Sequence, residues 1–66
     1  FLPGTTLEQI MKYTEEILSE NNAVLNTSGT YAKTYTDYVG IVDGGRVKTI
    51  KVLFDGRYAH AFPVPP

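Results

Sequence analysis

The sequence predicts an α+β domain: one amino-terminal helix packed on an antiparallel sheet of three or four strands, forming two layers. Three features carry that prediction. Thr5 and Thr6 stand three residues before Glu8 and Gln9, the capping-box spacing that opens a helix. Thr30 to Val42 is dense in Tyr, Thr and Val, residues that fit pleated backbone. Arg46 to Phe62 reads as an apolar run, Asp55-Gly56, and a shorter alternating run, which is a strong hairpin signal.

Taken in order, Phe1-Leu2-Pro3-Gly4 contains a turn pair, and residues 1–5 read as a linker remnant of a chain cut or processed from something longer. The helix is expected over 6–21. Leu7, Ile10, Met11, Ile17 and Leu18, with Thr14 filling the missing step, form one apolar stripe opposite the acids. Asn21-Asn22 can end it, because Asn tolerates the left-handed conformation. Ala23 to Asn26 is expected as a short strand before Thr27-Ser28-Gly29. The alternation of Thr30 to Val42 slips near Thr36-Asp37-Tyr38, where a bulge or bend would divide it in two. Asp43-Gly44-Gly45 turns the chain into a central strand, with either Asp43-Gly44 or Gly44-Gly45 at the tip.

A two-residue turn at Asp55-Gly56 sets a register in which Phe54 faces Arg57, Leu53 faces Tyr58, Lys51 faces His60, Ile50 faces Ala61 and Thr49 faces Phe62. Side chains alternate with period two. Ile50, Val52 and Phe54, joined by Val39 and Ile41, therefore make the core face beneath the helix. The outer face collects Thr49, Lys51, Leu53, Tyr58, His60 and Phe62, with Tyr38, Gly40 and Val42 beside them. Proline is expected to stop the sheet at Phe62, leaving residues 6–62 as the single domain and 63–66 as a proline-rich tail.

Composition narrows the chemistry. The 66 residues are 42% hydrophobic and 20% charged, an ordinary globular balance. The chain has no cysteine and a single histidine, so it offers no disulfide staple, thiol nucleophile or thiolate site, and no metal site or cofactor is implied. No apolar run approaches the roughly 18 residues of a membrane span, and a soluble domain is expected. The net charge of −1 hides an asymmetry. Residues 1–32 carry one lysine against four glutamates, whereas residues 33–66 carry five cations against three aspartates, so the sheet is the basic half.

A surface that joins cations to aromatic rings suits single-stranded RNA, whose phosphates need charge and whose bases stack. His60 can move a proton near neutral pH, and Lys51 opposite it can stabilise charge on a phosphate. Those two are the candidate catalytic residues. Tyr38, Thr49, Tyr58, Phe62, Arg46, Arg57 and Lys33 are candidates for substrate binding. Ordinary cross-strand packing and solvation explain the same residues without chemistry. The competing class is accordingly a non-catalytic protein-interaction module, or a subunit fragment, that meets a partner through its tyrosine-rich sheet or its Pro63 to Pro66 tail.

An amino-terminal helix followed by a sheet that closes on KTIKVLFDGRYAHAFPVP resembles the carboxyl-terminal ribonuclease domains of bacterial contact-dependent and polymorphic toxins, a group that includes barnase-like and colicin-like nucleases. The resemblance spans Leu7 to Pro63 and is sharpest in the final hairpin. It implies a bacterial toxin module that acts in a target-cell cytoplasm, cleaves RNA, often transfer RNA, without metal, and is blocked by an immunity protein. The chain departs from the group in its single histidine, its lack of strong positive charge and its short length.

Overall fold

The computed structural model describes residues 1–23 and 27–65. It contains one helix, α1 (Leu7–Glu20), and five strands: β1 (Gly29–Thr34), β2 (Gly40–Val42), β3 (Gly45–Val47), β4 (Thr49–Phe54) and β5 (Ala59–Val64). A three-stranded antiparallel sheet has the order β1-β4-β5, and β2 and β3 form a separate two-stranded ribbon. The α+β class and the helix-on-sheet arrangement are therefore as the sequence predicts. The strand expected over Ala23 to Asn26 falls largely on residues 24–26, outside the described residues.

Of the two capping candidates, Thr6 and Gln9 form the box. The Gln9 amide donates to Thr6 Oγ1 at 3.2 Å and the Thr6 amide donates to Gln9 Oε1 at 2.9 Å, so two free donors of the first turn are satisfied reciprocally. At the other end Asn21 caps the helix and Asn22 takes the left-handed conformation, φ 51°.

The core is built from Ile17, Val39, Ile50 and Val52, with Phe1, Tyr13, Leu18, Tyr31, Tyr35 and Ala61 packed around them. Ile50 and Val52 face the helix from β4, as their alternation requires. The helix meets them through only part of the expected stripe: Ile17 and Leu18 pack on the core with Tyr13 beside them, and the amino-terminal members do not. Ile17 is fully buried, while Leu7 and Met11 are 71% and 53% exposed. The carboxyl-terminal half of α1 is clasped to β1, where Lys33 Nζ lies 2.7 Å from both Glu16 Oε1 and Glu20 Oε2 and the Tyr35 hydroxyl donates to Glu16 at 3.0 Å. The burial of Ile17 and these polar contacts go together with one helix rotation, in which the amino-terminal turns run beside β5 rather than over the sheet centre. Residues 1–5, read as a linker, are held in this layer. Phe1 stacks on Tyr13 with ring centroids 6.3 Å apart, and the Leu2 amide donates to the Val39 carbonyl at 3.3 Å.

Four local departures arise from backbone geometry. The expected single strand from Arg46 to Phe54 breaks at Lys48, whose carbonyl accepts from the Tyr35 amide at 2.7 Å. The break at 35–39 in the opposing chain lies beside it, so β1 and β2 are separate strands, as the slip near Asp37 anticipates. The bend turns Ile41 outward to 44% exposure, off the core face, and buries Gly40 against the Pro63 ring. Proline does not stop the sheet: β5 continues through Pro63, paired with Ile50, to Val64, because an edge strand can spare the proline amide.

The fourth concerns the last hairpin. Phe54 faces Ala59, Leu53 faces His60, Lys51 faces Phe62 and Thr49 faces Val64, two residues along from the expected register. The connection is the four-residue loop Asp55 to Tyr58. Asp55 Oδ1 accepts from the amides of Arg57 at 2.8 Å and Tyr58 at 2.7 Å, and the Asp55 amide donates to the Tyr58 carbonyl at 3.1 Å, so side chain and backbone together close this loop in place of the expected turn. A shift of two preserves every face assignment and moves every cross-strand partner.

Candidate functional site

The sheet face away from α1 is laid out in three cross-strand rows: Thr30-Leu53-His60, Ala32-Lys51-Phe62 and Thr34-Thr49-Val64. His60 and Lys51 share this face but stand in adjacent rows, as diagonal neighbours rather than as a directly opposed pair. Diagonal Cβ atoms are about 7–8 Å apart, within the span of a lysine side chain. The His60 and Phe62 rings are 5.5 Å apart and tilted by 37°. Beside His60 an open depression of about 500 Å³ is lined by Thr30, Leu53, Asp55 and Tyr58 among others. Tyr58 and Arg57 belong to the loop at its rim, and Tyr58 is 77% exposed.

The remaining candidates lie elsewhere or are committed. Thr49 is on the outer face but buried, its hydroxyl 2.8 Å from that of Thr34. Lys33 pairs with Ile50 on the helix-facing side. Its ammonium is fixed by Glu16 and Glu20, which raise its pKa well above the ordinary lysine range. The same contact, a hydrogen bond from Lys33 and then one from Tyr35, lowers the pKa of Glu16. Tyr35 is raised, first by burial and then by its bond to that carboxylate. Tyr38 and Arg46 belong to the β2–β3 ribbon region, where Arg46 Cζ lies 5.7 Å from the centroid of the Tyr38 ring.

Among the described residues the ion pairs are those of Lys33. Arg46, Lys48, Lys51 and Arg57 are left without a carboxylate partner there. Much of the acidic helix is thus spent on one sheet lysine, and four cations of the basic half remain available. Asp55 is acceptor to the loop amides of Tyr58 and Arg57, which hold its carboxyl below the usual aspartate value.

Two contributors escape the sequence pattern. Leu53, 42% exposed, stands opposite His60, where a two-residue turn would put Lys51. Lys48 approaches the Tyr38 ring to 5.1 Å. A continuous strand would have put Arg46 and Lys48 on the same face as Ile50 and Val52, and that conflict of polarity is the signal from which the break, and the outward lysine, can be found.

In comparisons with protein-family models, curated proteins and solved structures, nothing matches this chain.

Proposed function

We infer that the chain binds RNA on the outer face of its three-stranded sheet and cleaves it there by metal-independent acid/base chemistry centred on His60. The observation that carries this reading is the grouping of His60, Lys51 and Phe62 in adjacent rows on the face the helix leaves uncovered, beside an open depression. A base can stack on Phe62 or Tyr58, and Lys51 can hold the neighbouring phosphate. His60 would accept the ribose 2′-hydroxyl proton as that oxygen forms its bond to phosphorus. The bond from phosphorus to the 5′-oxygen breaks, and the released alkoxide takes a proton from water or from the imidazolium. The products would be a 2′,3′-cyclic phosphate and a 5′-hydroxyl. Transfer RNA as the substrate and an immunity protein as the natural partner rest only on the toxin resemblance.

The test is incubation of the purified chain with total RNA and a chelator. His60→Ala should lower cleavage by about a hundredfold or more while leaving the fold intact. Lys51→Ala should weaken both cleavage and RNA affinity, and binding should fall steeply with salt as counterions are released. Cleavage unchanged in His60→Ala would refute His60 as the proton acceptor.

One observation favours the non-catalytic alternative. Leu7, Ile10 and Met11 of α1 line a groove of about 630 Å³ with Ala59 and Ala61 of β5 and with Arg57. Exposed apolar groups of this kind suit a protein partner. Salt-insensitive behaviour and no RNA binding would favour it.

A further inference from the structure

We propose that the ribbon formed by β2 and β3 carries a phosphate-binding site, made by Arg46 and Lys48 over the ring of Tyr38, separate from the outer-face rows of the main sheet. Both cations approach the same ring, Arg46 Cζ at 5.7 Å and Lys48 Nζ at 5.1 Å. Neither has a carboxylate within ion-pair distance among the described residues. Two like charges beside one exposed aromatic repel each other, and an anion that both can reach offsets that cost.

The backbone explains why they converge. Val39 and Val47 are buried, 4% and 7% exposed, and are joined by a hydrogen bond from the Val39 amide to the Val47 carbonyl at 2.9 Å. Their chain neighbours Tyr38, Arg46 and Lys48 are exposed, as alternation around a buried pair requires. Arg46 and Lys48 are two residues apart, about 6–7 Å along extended backbone. That spacing lets a guanidinium and an ammonium each donate to different oxygens of one phosphate. The turn beneath them joins the two strands directly, with Asp43 and Gly44 at φ 51° and 80°, the pattern of a type I′ turn. The Lys48 backbone is held by the amide of Tyr35.

Two carboxylates limit the range of this site. Asp37 precedes Tyr38 and Asp43 sits at the ribbon tip, so the formal charge of the ribbon region is balanced. Attraction of an anion is therefore a short-range effect of geometry, and removing either carboxylate should tighten binding. The ligand class is a phosphoryl group, whether free, on a nucleotide or in a nucleic-acid backbone.

The experiment is an amide chemical-shift titration of the isotopically labelled chain at constant ionic strength. Inorganic phosphate, a uridine monophosphate and a short oligouridylate are the three probes. Saturable shifts at Tyr38, Arg46, Lys48 and their neighbours are expected with inorganic phosphate, replacing chloride. Arg46→Ala and Lys48→Ala should each weaken that binding by roughly tenfold, the loss typical of a charge-assisted hydrogen bond. Tyr38→Leu should weaken it, Tyr38→Phe should not, and Asp37→Asn or Asp43→Asn should strengthen it. The proposal is overturned if phosphate leaves the ribbon amides unmoved, or if the shifts survive in the Arg46→Ala/Lys48→Ala double variant. An oligouridylate that moves only the Thr30, Lys51 and His60 rows overturns the ribbon site as a nucleic-acid contact while supporting the outer-face reading. Phosphate and nucleotide bound at the ribbon, with no oligouridylate response on the outer face, supports this site and refutes that reading.

Discussion

Ile17→Ala should be far more damaging than Leu7→Ala, although both truncate an aliphatic residue of the same helix. Ile17 is fully buried against Val39, Ile50 and Val52, and Leu7 is 71% exposed. Truncating Ile17 removes its side chain beyond Cβ. At about 0.8 kcal/mol per buried methylene equivalent, the transfer loss is roughly 2.4 kcal/mol, and a cavity brings the cost to about 3–4 kcal/mol, within the range measured for such substitutions. A chain of 66 residues is stable by roughly 3–10 kcal/mol at ordinary values per residue. The loss is thus a third of the stability or all of it, and at about 4–8 °C per kcal/mol the midpoint should fall by about 12–30 °C. Leu7→Ala forfeits less than a third of one side chain's burial, under about 1 kcal/mol, and alanine's helix propensity offsets part of it. Thermal unfolding followed by circular dichroism, with urea titrations to check that the slope is unchanged, separates the two. Equal destabilisation by both variants would refute this helix rotation and restore Leu7 and Met11 as buried members of the stripe.

Gly40→Ala should destabilise by about 1–3 kcal/mol, because its new Cβ would overlap the Pro63 ring. Gly45→Ala, which meets only the Val42 carbonyl at 3.6 Å, should stay within about 1 kcal/mol of the native chain; equal midpoints for the two variants would refute the ribbon's packing on β5. Stability should also depend on pH at both extremes. Glu16 and Asp55 have folded pKa values below their ordinary ones, so their contribution is present above about pH 4 and is lost as pH falls through the folded values. Lys33 and Tyr35 are raised, so stability is full below about pH 10 and declines above it. Glu16→Gln should flatten both limbs, and an unchanged alkaline limb in that variant would refute the coupling of Tyr35 and Lys33 to Glu16.

The sequence makes legible whatever depends on local chemistry or on parity. The Thr6-Gln9 box, the Asn22 stop and the inward face of Ile50 and Val52 are given by spacing alone. The helix rotation is different, since Leu7, Met11 and Ile17 are equivalent on an apolar stripe. The choice among them is made by tertiary contacts: Ile17 packs on Val39, Ile50 and Val52, and Lys33, seventeen and thirteen residues from its partners, ties Glu16 and Glu20 to β1. A contact of that separation between ordinary charged residues leaves no local trace, and the apolar stripe gives the wrong answer near its amino-terminal end.

The two Asp-Gly dipeptides show the same division within the sheet. At Asp43-Gly44 both residues take positive φ and the strands join through a two-residue turn between Val42 and Gly45. At Asp55-Gly56 only the glycine does, φ 100°, while the Asp55 carboxylate takes the amide protons of Arg57 and Tyr58 and makes a longer loop. The dipeptide announces a reversal in each case, but the loops differ in length: Val42 pairs directly with Gly45 across the first, whereas in the second the Asp55 carboxylate accepts from the Arg57 and Tyr58 amides and the strand ladder ends at Phe54 and Ala59. Because the difference is two residues, the face of His60 survives and its opposite neighbour changes from Lys51 to Leu53. A face can therefore be read from parity with the turn unknown. A catalytic pair cannot, since its geometry rests on the row as well as the face, and the row is fixed by hydrogen bonds that the alternation pattern does not encode.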